Sequence, residues 1–122
     1  MPLSFLVDEN LRGPMWYAIE DHNAKGDEPI DAVCVGELDD VPLGTLDPEI
    51  LLWTERESRI FVSFDKSTLP GHLDYHLRAG HHSPGIFLVR RSAKISAVVE
   101  FLGLAAHYSA AFEWQDRIEY IP

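Results

Sequence analysis

The chain, 122 residues long, reads as one α/β domain spanning 1–122, with a central, mainly parallel sheet flanked by helices. Three observations predict that class. Short apolar runs recur along the chain, and they are uniformly apolar rather than alternating, as strands buried on both faces require. Segments with helical spacing of apolar residues separate them. No repeat, low-complexity tract or linker interrupts the alternation.

Leu3 to Val7 is the first apolar run, and it stops abruptly at Asp8-Glu9-Asn10, a strand whose carboxyl end meets solvent. Pro14 suits a first helical turn, after which Met15, Ala18 and Ile19 follow helical spacing until Gly26. Ala32 to Val35 is the second strand, and a loop with Pro42 and Gly44 leads out of it. Asp47-Pro48-Glu49 then opens a helix: Asp47 is expected to cap it, Pro48 to take its first position and Glu49 to favour the positive end of its dipole. Ile50, Leu51, Trp53 and Thr54 supply its packing face. Ile60 to Phe64 is a third strand ending at Asp65. A helix follows from Thr68 to Arg78, with Gly80 as its stop signal. Gly85 to Val89 is the fourth strand. Ile95, Val98, Val99, Leu102 and Ala106 trace an amphipathic helix, whose stretch from Ala97 to Ala106 suits either core packing or a homodimer contact. Arg117 to Ile121 closes the chain as an edge strand.

Composition removes several classes of protein. The single cysteine, Cys34, forms no intramolecular disulfide, and no zinc-type Cys/His spacing is present. Apolar stretches fall far short of the roughly 20 residues of a membrane span. The first residues lack a basic signal-peptide region, so a cytoplasmic location without membrane attachment is expected. A formal charge of −10 argues against a broad basic nucleic-acid face. It accommodates a carboxylate cluster neutralised by a divalent cation, or a cationic partner protein.

Ligands of open α/β sheets gather beyond the carboxyl ends of the strands. Asp8 and Asp65 follow two such ends, and Asp47 begins the helix after a third. If the first and third strands are not far apart, these carboxylates converge on one cleft, and an oxygen-only set suits Mg²⁺ or Mn²⁺. Plainer readings exist for each: aspartate after a strand is a common loop residue, and helix capping alone accounts for Asp47. Asn10 is expected to orient Asp8 or an attacking water, or to cap the next helix; Glu9 and Glu49 are lesser candidates. His72 and His76, four apart, read as a surface helix pair without a third ligand. His81-His82 lies in a loop, where it could meet a phosphate or a partner. Ser63 lacks a nucleophile elbow, no nucleotide-binding glycine motif is present, and Trp16, Trp53, Trp114 and Cys34 read as packing residues.

Residues 5–10 (Phe-Leu-Val-Asp-Glu-Asn), 47–53 (Asp-Pro-Glu-Ile-Leu-Leu-Trp) and 60–68 (Ile-Phe-Val-Ser-Phe-Asp-Lys-Ser-Thr) resemble the small PIN-like proteins of bacteria. The likeness continues through Leu69-Pro70-Gly71-His72, His82-Ser83-Pro84-Gly85-Ile86, Glu113-Trp114 and Arg117 to Pro122, and so covers nearly the whole chain. It implies a PIN-type fold and a Mg²⁺- or Mn²⁺-dependent ribonuclease, with RNA as substrate and, for a toxin-like member, an antitoxin as partner. Asp8, Asp47 and Asp65 match the family's acidic positions, and Arg12, Lys66, Arg90 and Arg91 are the candidate phosphate contacts. One departure stands out. Ser67 occupies the region where many relatives carry a further aspartate, and Asp74 lies too far along the next helix to replace it. A non-catalytic PIN-like module that binds protein or RNA is the alternative.

Overall fold

The computed structural model describes residues 2–26 and 28–122. Its strands are β1 (Ser4–Val7), β2 (Asp31–Cys34), β3 (Arg59–Ser63), β4 (Ile86–Val89) and β5 (Ile118–Ile121). Between them lie α1 (Pro14–Ala24), α2 (Asp47–Glu57), α3 (Leu69–Arg78) and α4 (Ile95–Tyr108), with short 3₁₀ turns at Glu9–Leu11 and Ala111–Glu113. All neighbouring strands run parallel, in the order β2-β1-β3-β4-β5. The expected α/β class is therefore observed, with β1 and β3 side by side and β5 on an edge.

Alternation along each strand sorts the core into two halves. Phe5, Val7, Ile60, Val62, Phe87 and Val89 face α1 and α4, meeting Met15, Ile19, Val98 and Leu102. Leu6, Phe61, Ile86 and Leu88 face α2 and α3, meeting Ile50, Leu51, Trp53, Leu69 and Leu73. Because both faces are covered, the central strands carry apolar residues without alternation, which is the pattern the sequence displays. The three tryptophans pack as expected: Trp53 within the second half, and Trp16 and Trp114 against the first. Cys34 is buried, and burial pushes its thiol up to about 11, which leaves it an inert packing residue.

α4 takes an unexpected side. The connections through α2, α3 and α4 all advance across the sheet in the same direction, yet α4 lies on the α1 face, opposite α2 and α3. Its crossover therefore has the opposite hand to theirs, whereas crossovers between parallel strands share one hand almost without exception. The stretch between Tyr108 and Ile118, with its 3₁₀ turn, carries the chain back across the sheet end to β5. Within it Trp114 packs edge-on against Phe87, their ring centroids 5.1 Å apart.

The start of α2 corrects one expectation. Leu46, in extended conformation, is the capping residue, and its carbonyl accepts the backbone N–H groups of Glu49 and Ile50. Asp47 is the first helical residue and Pro48 the second, and no side chain caps this helix. The carboxylate of Asp47 is therefore not consumed by capping.

Candidate functional site

In this strand order the chain reverses direction between β1 and β3: one connection leaves β1 toward β2, and the later ones run outward from β3. Such a reversal opens a crevice at the carboxyl ends of the strands, the place where open α/β sheets bind ligands. Asp8 leaves β1 there. Its backbone N–H still donates to the Val62 carbonyl at 2.9 Å, so the side chain is carried on the last rung of the ladder. It is 8% exposed. Oδ1 accepts the Glu9 N–H at 2.8 Å and Oδ2 accepts the Ser63 hydroxyl at 2.7 Å. Burial raises its pKa from the ordinary value, against those two hydrogen bonds, and repulsion from Asp47 and Glu9 raises it further.

Asp47 behaves alike. Desolvation is again the largest cause of a raised pKa, and the negative charges of Asp65 and Glu9 push the same way. His72, one turn into α3, opposes this from 4.0 Å. His72 is thus part of the rim, where the sequence suggested only a surface helix. Glu9 contributes charge and also architecture: its carboxylate accepts the Gly44 N–H at 2.9 Å, tying the loop before α2 to the end of β1. Glu49 is exposed.

Asp65 differs from both. One oxygen accepts the Ser67 N–H, the Ser67 hydroxyl and the Thr68 N–H, while the other accepts the Thr68 hydroxyl. Those bonds, the Thr68 hydroxyl foremost, hold its pKa down at about 2. Its carboxylate organises the turn into α3, a role for which aspartate is well suited. A buried hydroxyl joins it to Asp8: the Asp65 N–H donates to Ser63 Oγ at 3.1 Å, and Ser63 donates to Asp8. The missing nucleophile elbow pointed away from Ser63 as a catalytic group, and no sequence signal marks it as the residue that positions Asp8.

Asn10 stands beside the rim without a bond to Asp8. It is exposed in the 3₁₀ turn, and no side-chain hydrogen bond ties it to Asp8; Ser63 and the Glu9 N–H do that work, and Gly13 precedes α1 at the capping position. Asp8 feels the charge of Asp47, and Asp47 that of Asp65, but the oxygens of the three do not form a set lying within 4.8 Å of one another. Of the basic candidates, Arg12 is paired with Glu37 at 3.1 Å. Lys66, Arg90 and Arg91 instead line one open cleft beside Asp65, of about 1010 Å³, whose walls include the exposed rings of Phe64 and Tyr120. The Arg90 guanidinium lies 6.0 Å from the centre of the Tyr120 ring. Asp74 is exposed and pairs with Arg78 on α3, and so adds no carboxylate to the rim. No described helix is long and apolar enough to cross a membrane.

Compared with protein-family models, with curated proteins and with solved structures, the chain matches none.

Proposed function

We propose that this protein is a Mg²⁺- or Mn²⁺-dependent ribonuclease of PIN-like type. The observation that carries the reading is the pair Asp8 and Asp47, two carboxylates from different elements at the β1/β3 crevice, each with its proton affinity raised first by burial and further by neighbouring negative charge, from Asp47 and Glu9 on Asp8 and from Asp65 and Glu9 on Asp47. A protein retains such repulsion where a cation relieves it. Oxygen donors of this kind suit Mg²⁺ or Mn²⁺, which keep several waters and take few protein ligands. Asp8 and Asp47 would hold the ion, with Asp65 at its edge. A bound ion would supply Lewis acidity toward a phosphodiester and ease the ionisation of water. The chain's own residues do the rest. Ser63 fixes the Asp8 rotamer, and the Glu9–Gly44 bond keeps the Asp47 loop against β1. Lys66, Arg90 and Arg91 give an otherwise acidic molecule a local attraction for phosphates, and Phe64 and Tyr120 offer faces for bases.

The reading is tested by cleavage of a labelled single-stranded RNA in Mg²⁺ or Mn²⁺. Asp8→Asn should lower the rate by about 100-fold or more while the circular dichroism spectrum stays native. Cleavage by Asp8→Asn at the wild-type rate sinks the proposal.

A non-catalytic PIN-like module is the second reading, and Asp65 favours it, since the turn into α3 engages both of its oxygens. Calorimetric titration with Mg²⁺ separates the two: no heat up to millimolar metal supports the module. As the toxin of a toxin–antitoxin pair, the chain would take a partner with a basic segment, given its charge of −10.

A further inference from the structure

We propose that Glu55, His76 and His81 form a second metal site, for a zinc-class ion, at the end of the sheet opposite the carboxylate rim. The placement follows from the topology. Asp47 opens α2 at the rim, and Glu55 lies eight residues on, about 12 Å along the helix axis. His76 sits in the last turn of α3, and His81 in the segment that enters β4. Three separate stretches of chain thus deliver one ligand atom each, and those atoms all lie within 4.8 Å of one another.

The distances fit one ion. Atoms bound about 2.0–2.2 Å from a tetrahedral zinc lie roughly 3.3 Å apart. Glu55 Oε1 is 3.4 Å from His76 Nε2 and 2.9 Å from His81 Nδ1. The carbonyl oxygen of His82 accepts a hydrogen bond from His76 Nε2 at 2.9 Å, a bond that an ion on Nε2 would replace. Two imidazoles and one carboxylate are a set that zinc accepts, and the nitrogens distinguish it from the oxygen-only rim.

The surroundings hold the ligands in place. The other Glu55 oxygen accepts the His82 N–H at 2.9 Å, leaving Oε1 for the ion. The His82 ring is fixed in turn by Asp116 at 2.9 Å, and the other Asp116 oxygen accepts the Ser83 N–H at 2.7 Å. His76 is 5% exposed, and its ring stacks on that of His81 with centroids 4.8 Å apart. His81, its side chain 43% exposed, gives the ligand atoms their access to solvent. Such an ion would clamp α2, α3 and the entry to β4 together, a structural role independent of cleavage at the rim.

The test uses the full chain stripped with EDTA, dialysed and titrated with ZnCl₂ by calorimetry, with bound zinc counted by elemental analysis after gel filtration. One zinc per chain is expected. Zinc should raise the thermal midpoint of the wild type, and His81→Ala, a change on the exposed side of the site, should weaken binding by about 100-fold and abolish that rise. Asp8→Asn and Asp47→Asn should leave zinc binding unchanged. Three results would overturn the proposal: no zinc bound, wild-type affinity in both His81→Ala and Glu55→Gln, or zinc lost from the rim variants instead. Because cleavage is read in Mg²⁺, failure here is distinguishable from failure of the nuclease reading.

Discussion

Asp8 and Asp47 are costly to the fold as anions, whereas Asp65 is an asset, although all three stand at the same rim. The difference is hydrogen bonding against desolvation. Asp8 also accepts a donor at each oxygen, but burial outweighs them. Asp65 accepts four donors in a more open position, so folding lowers its pKa, and its contribution is present above its unfolded value of 3.8 and is lost as pH falls through about 2. Asp8 and Asp47 have raised folded values, so the sign reverses: they carry no cost below 3.8, and stability falls as pH rises through the interval up to the folded values. Asp47→Asn should therefore stabilise the chain at pH 7 by on the order of 1 kcal/mol or less while abolishing Mg²⁺-dependent cleavage. Asp65→Ala should do the opposite to stability, costing about 0.5–2 kcal/mol at neutral pH, a loss that shrinks on acidification. Urea denaturation of both variants from acid to neutral pH reads the two signs together.

At the scale of elements, the connection that brings the chain back to β5 is held by a close backbone approach. Gly85 enters β4 at a φ of +127°, and a methyl group added there would lie 2.7 Å from the Trp114 carbonyl oxygen. Neither the conformation nor the space admits a side chain. Gly85→Ala should cost more than about 2 kcal/mol, measured as a lowered denaturation midpoint, because relief requires Trp114 to move off Phe87. Most elements were legible beforehand because their signals are local. The face of α2 formed by Ile50, Leu51, Trp53 and Thr54 is the face that the fold buries, and Gly80 adopts the positive φ expected just after a helix. The cap of α2 was not legible. Asp47 has a good capping chemistry, but the cap falls one residue earlier, at Leu46, and as the first helical residue the aspartate has its side chain directed by the fold rather than by the helix end. α3 carries a similar lesson. His72 and His76 share a spacing, yet one reaches the rim and the other is buried beside Glu55, because α3 runs the height of the sheet.

For the molecule as a whole, a charge of −10 concentrated in part at one rim makes divalent cations a stability variable. If the rim holds Mg²⁺, the thermal midpoint should rise with its concentration, by the equivalent of about 2.7 kcal/mol at 100 times Kd. Asp47→Asn should lose most of that rise, while an equal ionic strength of NaCl should not reproduce it. Scanning calorimetry of the two proteins in EDTA, Mg²⁺ and salt makes the comparison.

Amphipathic period and apolar runs determined the α/β class, the element order and three carboxylates at strand or helix ends, since each depends on residues close in sequence. The adjacency of β1 and β3, which lets Ser63 join Asp8 to Asp65, was written in the sequence only as a condition. Tertiary structure decided it, together with the face that α4 covers, against the usual handedness of crossovers. It also decided which oxygens are engaged: Ser63 reaches Asp8 across 55 positions, and Glu55, at the far end of α2, meets His81. Contacts of that separation arise from how elements pack, and no local pattern of residue types encodes them.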